Sequence, residues 1–226
     1  NSDAANPRAY ADNDGIASTG NPNGHIIRFK ETAGESTASS FNWDIFLFGA
    51  EFDAGSAINL SGLTANNDFS SPDGLWFSKA SGICWIQTDD GAYTDVTNCM
   101  LLAAIPGAVG DGKAVTVSNT LGTTSGTKPT FIGAALGEAK LRRFLVGPAG
   151  SEITGLTETP DGKTMFVNIQ HPGENTSVAG FTSRIFESNW PGNGAGIAAY
   201  GPGGASARPR SATVMITKND GGVIGT

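Results

Sequence analysis

The chain has 226 residues, 38% of them hydrophobic, which is enough for one substantial core and sets a single domain over residues 1–226 as the default. Its 32 glycines and 11 prolines are dispersed between apolar stretches with no collagen-like period, so they mark many tight turns and exclude a fibre. Fourteen Lys and Arg against 21 Asp and Glu give a net charge of −7, which argues against nonspecific attachment to nucleic acid or an anionic membrane and suits an acidic exterior or divalent cations.

No apolar run approaches the roughly 20 residues that cross a bilayer, and the opening NSDAANPRAY lacks the apolar centre of a signal peptide. A soluble, already processed chain without membrane insertion is expected. Cys84 and Cys99 are compatible with one disulfide or with two buried thiols. No CxxC, HExxH or paired Cys-His spacing supports structural zinc, which leaves metals that take oxygen ligands.

In chain order, Asn1 to Asn23 is polar and turn-rich, with Asn6-Pro7-Arg8 and Asn21-Pro22-Asn23-Gly24, and reads as a loop. His25-Ile26-Ile27-Arg28-Phe29 is the first strand; Glu31 to Ser40 is an exposed connection; Phe41 to Phe48, rich in aromatic and branched residues, enters the sheet. Ala50 to Ser70 has short apolar pieces broken by Asp, Asn and Gly, the pattern of a structured rim loop able to reach a ligand. Leu75-Trp76-Phe77 and Ile83-Cys84-Trp85-Ile86 flank the turn Ser78 to Gly82, and Met100 to Ile105 supplies the next strand of one compact, blade-like group. Ala108 to Gly137 reads as an insertion ordered by packing, with a strand at Ala114 to Val117. Lys140 to Val146 alternates as a strand, and Ile153 to Glu158 and Thr164 to Ile169 flank Asp161-Gly162 in a second blade-like unit. Trp76, Trp85 and Phe166 are expected in the core. Val178 to Ser188 is a surface strand or short helix, Asn189 to Arg210 a glycine- and proline-rich excursion, and Ala212 to Thr217 a strand ahead of the turn Asn219 to Gly222. An all-β chain of antiparallel sheets accounts best for this order. Pro72-Asp73-Gly74 and Pro160-Asp161-Gly162 start 88 positions apart, which fits two propeller-blade periods if the insertion hides the middle register.

Chemistry in such a chain sits at strand ends. The segment GPAGSEITGLTETPDGKTMFVNIQHPGE, Gly147 to Glu174, couples a Pro-Asp-Gly turn and a short apolar strand to Glu152 and His171 just outside. Ca²⁺ takes several hard oxygen donors at about 2.3–2.6 Å. Glu152 is the leading ligand candidate, lying between the turn Gly147-Pro148-Ala149-Gly150 and a strand that aims its carboxylate; the alternative is an ordinary surface glutamate. Asp73 has one oxygen for its turn and another for a cation, or serves the turn alone, whereas Asp161 is read as turn-forming. Asp89 and Asp90 point in opposite directions after a strand, so one faces a site and the other water, and the sequence does not choose between them. Arg8 either clamps a phosphate through its guanidinium fork or anchors the terminal loop; His25 either meets an oxyanion or metal or packs at its strand's start. His171 is a polar rim residue or a partner for backbone. No GxGxxG-to-helix unit, GxxxxGK[ST] loop or GxSxG elbow is present, and the aromatics lie in apolar strands with no basic groove, against nucleotide, serine-hydrolase and nucleic-acid readings.

In order from Asn6 to Gly222, NPRA, NPNGHIIRF, SPDGLWF, ICWIQTDDG, LRRFLVGPAGSEITG, TPDGKTMFVNIQHPGE and RPRSATVMITKNDGG resemble the C-terminal region of PhoX-type alkaline phosphatases. The resemblance implies a β-propeller enzyme, here a partial propeller or C-terminal blades with long loop insertions. It implies export to the periplasm or outside the cell, and calcium- and iron-dependent hydrolysis of phosphomonoesters. On that analogy Glu152 approaches the metal assembly, Asp73, Asp89 or Asp90 contributes from an adjacent blade, and Arg8 and His25 meet the phosphate. Ser151 stands where relatives often place Cys. Family members carry further blades ahead of the Asn6-Pro7-Arg8 segment, so the chain is expected to be the C-terminal portion of a larger propeller. Its sheet edges would be covered by the missing N-terminal portion or by a homo-oligomer. The competing expectation is a catalytically inactive β-rich binding or surface module.

Overall fold

A computed structural model describes residues 23–89, 97–121, 124–192 and 207–226. The strands are β1 (His25–Glu31), β2 (Phe41–Phe48), β3 (Pro72–Phe77), β4 (Cys84–Thr88), β5 (Met100–Ala104), β6 (Lys113–Leu121), β7 (Thr124–Ile132), β8 (Leu141–Val146), β9 (Glu152–Glu158), β10 (Thr164–Gln170) and β11 (Ala212–Thr217), with short helices α1 (Gly137–Lys140) and α2 (Val178–Ser183). They fall into two compact units, Asn1–Pro72 with Ala104–Arg142, and Asp73–Ala103 with Arg143–Thr226.

The first unit holds a four-stranded sheet in the order β1-β2-β7-β6. β1 and β2 pair antiparallel from His25 opposite Phe48 to Glu31 opposite Phe41, with a bulge at Ile26/Ile27. From Asp44 onward β2 is buried, and Ile45, Phe48, Val117 and Ile132 form the core, with Leu60 and Val115 packed against it. β7 meets β2 in parallel at Ile45 and Ile132, and Gly133 N–H donates to Ile45 C=O at 2.8 Å. That parallel contact departs from the purely antiparallel expectation. So does the segment expected to be an insertion: β6 and β7 pair along nine residues each, from Lys113–Ile132 to Leu121–Thr124. Gly126 and Pro129 conceal β7 in the sequence, because its order comes from the ladder it shares with β6 rather than from apolar alternation.

A buried charge cluster fastens this unit. Arg28 lies opposite Asp44 in the β1–β2 register and donates to both of its oxygens, Nε to Oδ1 at 2.7 Å and Nη2 to Oδ2 at 2.9 Å. The same guanidinium reaches Asp111 Oδ1 and the Pro106 carbonyl, while Gly110 N–H donates to Asp44 Oδ2 at 2.7 Å. The loop ahead of β6 is thereby drawn onto the sheet. Ala50 to Ser70 is a structured loop as expected: Asn59 exchanges bonds with Leu63, and Ser61 Oγ accepts from Phe48 N–H at 2.8 Å.

The second unit carries two sheets, β3-β4-β5-β8 and β11-β10-β9. Its core is Ile83, Trp85, Cys99, Leu101, Ile153, Leu156, Met165, Val167, Ile169 and Ile224. Trp85 is fully buried, edge-to-face with Phe144 at 4.8 Å between centroids. Trp76 is exposed instead, because β3 is an edge strand, and Phe166 is only half-buried, because Met165, Val167 and Ile169 take the inward side of β10. Cys84 and Cys99 are buried free thiols, and burial pushes the Cys84 thiol up to about 11.

The two Pro-Asp-Gly units are not structurally equivalent. Pro160-Asp161-Gly162 is a turn, with Gly162 at φ +66° and Asp161 Oδ1 accepting from Thr159 Oγ1 at 2.6 Å and Lys163 N–H at 3.1 Å. Pro72-Asp73-Gly74 opens β3 in extended conformation, and a Cβ on Gly74 would fall 2.6 Å from Gln87 Oε1, so any side chain there displaces the Gln87 amide. The 88-residue spacing therefore joins a turn to a strand and does not mark a repeat. In α2, Ser177 Oγ caps by accepting from Gly180 N–H at 3.0 Å, and Arg184 ends the helix at φ +61°, so the helical alternative holds for that segment. The fold is largely β-sheet. Among the described residues no helix is long and apolar enough to cross a membrane.

Candidate functional site

Glu152 is the first residue of β9, and the turn before it is tightly pinned within the second unit. Gly147 N–H donates to Cys99 C=O at 2.8 Å, Asn98 Nδ2 donates to Gly147 C=O at 2.9 Å, and Ser151 Oγ donates to Pro148 C=O at 2.8 Å. Gly150 sits at φ +60°, with its backbone against the Glu174 amide. Gly173 and Glu174 N–H donate to Ala149 and Gly150 C=O at 2.9 and 3.2 Å, which brings the exit of β10 alongside the entry to β9.

The β9–β10 register then places Gln170 opposite Glu152, and Gln170 Nε2 donates to Glu152 Oε2 at 2.8 Å. His171 follows in the left-handed region at φ +36°, its N–H donating to Ser211 Oγ at 2.9 Å. That turn carries the imidazole between two carboxylates, Nε2 at 3.6 Å from Glu152 Oε2 and Nδ1 at 3.3 Å from Glu174 Oε2. Nδ1 lies beside the Glu174 carboxylate without the alignment of a hydrogen bond.

Glu152 is 8% exposed, and its carboxyl is pushed above the ordinary range, first by burial, then by the charges of Asp89 and Asp73, with His171 opposing. The three carboxylates thus share one electrostatic field. Asp73 reaches it from exposed edge strand β3 and Asp89 from the exposed residue after β4. Behind them, buried Gln87 fills the notch beside Gly74 and donates from Nε2 to Ile153 C=O at 3.4 Å.

These donors are the hard oxygens that calcium prefers, yet the residues do not fit a calcium or iron centre by themselves. Among the described residues no three His, Cys, Asp or Glu side chains converge tightly enough to hold an ion. Arg8 and Asp90 lie outside the described residues. His25 belongs to the first unit, its ring centroid 5.6 Å from that of Phe48. Asp161 serves its turn, and the Thr159 hydroxyl followed by the Lys163 amide hold its carboxyl below the usual range. Gln170, Glu174 and Gln87 were not singled out by the sequence reasoning. The opposition of Gln170 and Glu152 is countable from the Pro160-Asp161-Gly162 turn only once the register shift between Val167 and Asn168 is known. Gly155, at φ +50° with its Cβ position 2.4 Å from Asn168 Nδ2, marks that shift.

The family model described as "Alkaline phosphatase PhoX" matches residues 2–173. A solved structure, "Pseudomonas fluorescens PhoX in complex with vanadate, a transition state analogue", is 30% identical with a TM-score of 0.61, covering 90% of this chain and 28% of that one. No curated protein matches. The chain therefore spans 28% of the length of the solved relative it matches. With the family model covering residues 2–173, the β-rich chain described above belongs to the PhoX alkaline phosphatase family.

Proposed function

We propose that this chain contributes to a metal-dependent phosphomonoester hydrolase, with calcium and iron as its metals and with Glu152, Asp73 and Asp89 as the acidic side of the site. One observation carries the reading: a carboxylate at a strand end, oriented by Gln170 and pushed upward in pKa first by its burial and then by the charges of Asp89 and Asp73. Burying Glu152 beside Asp73 and Asp89 is unfavourable in the free chain, and a cation relieves it. Because the described residues do not complete a metal centre, the remaining ligands come from elsewhere; Asp90 is a proposed donor, and Arg8 and His25 are proposed phosphate contacts. The 28% share of the solved relative that is covered supports reading residues 1–226 as one β-rich portion of a larger protein, and the sequence resemblance supports placing that portion as the C-terminal blades of a propeller whose other part or a second copy covers its sheet edges. A periplasmic or extracellular location accords with the family.

The experiment is hydrolysis of p-nitrophenyl phosphate after metal removal and after addition of Ca²⁺ and iron, with bound metal quantified, for this chain and for a longer chain that supplies the remaining ligands, each as wild type and as Glu152→Gln. The hydrolase reading expects metal-dependent turnover that Glu152→Gln abolishes together with metal retention. Among the described residues no three ligands converge, which favours a second reading, a catalytically inactive binding or surface module. Stable folding without bound metal or turnover in this chain and in the longer chain alike would establish the latter.

A further inference from the structure

In the β1–β2 hairpin the register sets Ile27 opposite Ile45, Phe29 opposite Trp43 and Glu31 opposite Phe41, so these side chains share one face, while Arg28, Lys30, Asn42 and Asp44 take the other. At its inner end the shared face is core, where Ile45 joins Val117 and Ile132. Beyond Ile45 the same face continues bare: Ile27 is 54% exposed, Phe29 61%, Trp43 48% and Phe41 60%. Phe29 and Phe41 stand edge-to-face, their ring centroids 5.6 Å apart, on the diagonal of the ladder. Among the described residues β7 meets β2 at the Ile45–Ile132 rung, so this outer stretch of the hairpin gains no third strand beside it.

A contiguous face of large apolar side chains, most of them aromatic, has the composition of an interface centre rather than of open surface. Its occupant follows from charge and chain length. A second copy would bring its own net charge of −7, and its own Glu31, against a face that already ends in the Glu31 carboxylate, which works against self-association. Polypeptide outside this chain is available instead, since all but 28% of the solved relative lies outside the stretch this chain covers. We infer that the face of Ile27, Phe29, Phe41 and Trp43 is an internal interface of the longer protein, seated against an apolar surface of the polypeptide beyond residues 1–226. The inference rests on the reading of this chain as one portion of a larger protein, and it adds where on that portion the rest attaches. It continues the core outward from Ile45, along the face that the Arg28–Asp44–Asp111 charges leave free.

Hydroxyl-radical footprinting read by mass spectrometry, on this chain and on the longer chain, follows each ring separately, with Phe69 and Trp85, both 0% exposed, as buried standards in the same molecule. In this chain Phe29, Phe41 and Trp43 are expected to oxidise several times faster than those standards, and in the longer chain to fall to their level. Phe29→Glu sets a charge within the face; it is expected to leave this chain folded and to return Trp43 of the longer chain to the oxidation rate it has in this one. Rings as reactive in the longer chain as in this one overturn the inference. If other side chains of residues 1–226 become protected at the same time, only the placement of the interface falls; if none does, the reading of the chain as a portion falls with it. Protection that appears in this chain alone as its concentration rises makes a second copy the occupant and also overturns the inference. Should Phe29→Glu unfold the longer chain, the wild-type comparison alone decides.

Discussion

Replacing Arg28 by Met removes the cation from a carboxylate that has no access to water. Asp44 is 0% exposed and takes two bonds from Arg28 and one from Gly110 N–H. Breaking a buried pair by deleting one partner costs about 3–5 kcal/mol, because the remaining charge is uncompensated. Arg28 is 14% and Asp111 28% exposed at the side chain, which moves the expectation to the lower end, about 3 kcal/mol. In a chain of this length that is a fall in Tm of about 6–12 °C. The assay is urea unfolding read by hydrogen exchange at β1 and β2 amides, so that the first unit is followed by itself. The double variant Arg28→Met/Asp44→Leu removes the stranded charge and should recover to within about 1–2 kcal/mol of wild type. Asp111 adds a pH signature: burial opposes ionisation, but the Arg28 bond and the Ala134 and Ala108 amides outweigh it and hold the carboxyl at about 2, against 3.8 ordinarily. A depressed carboxylate stabilises above its unfolded pKa and loses that contribution as pH falls from about 4 through about 2. That fall corresponds to about 2.4 kcal/mol, reduced by solvent screening to about 1 kcal/mol. A cost below about 1 kcal/mol for Arg28→Met, or no recovery in the double variant, would refute the account of a buried, mutually dependent pair.

Glu152 should behave in the opposite sense. Its raised pKa means that folding favours the protonated acid, so its contribution is present below about pH 4.3 and lost as pH rises through the folded value; urea midpoints between pH 4 and 8 should fall less steeply in Glu152→Gln than in wild type. Added Ca²⁺ should raise the thermal midpoint of wild type and leave Glu152→Gln unmoved, and an equal rise in both would remove Glu152 from the proposed ligands. Gly74→Ala should cost about 1–3 kcal/mol, because the new methyl falls 2.6 Å from Gln87 Oε1, and Gly74→Ala/Gln87→Ala should restore much of it in the same melt. Ser177→Ala should lose about 1 kcal/mol locally, seen as faster amide exchange at Gly180.

Strands that carry their own signal were legible. Phe41–Phe48 and Ala212–Thr217 have the bounds their aromatic and β-branched runs announce. The positions of Glu152 and Asp89 at strand ends were also legible, whereas Asp73, expected in a turn, lies within β3; their role as ligands is proposed. What escaped depends on partners distant in sequence. β7 is a strand by virtue of β6; Trp76 is exposed because its strand lies at an edge; Pro72-Asp73-Gly74 is straight because it opens β3, which pairs with β4. Gln170 escaped for a subtler reason, a one-residue slip in the ladder that decides which side chain faces Glu152.

The β6–β7 arm has nine rungs of its own and, among the described residues, pairs with β2 at the rung Ile45–Ile132, where Val117 and Val115 join the core of Ile45 and Phe48. Side chains on such an arm repeat every two residues, so lengthening or shortening it by matched pairs preserves which residues face which way, and nothing beyond Ile132 is asked to move. A matched two-residue insertion or deletion within this arm is therefore expected to leave the β1–β2 register and the Ile45–Ile132 rung unchanged.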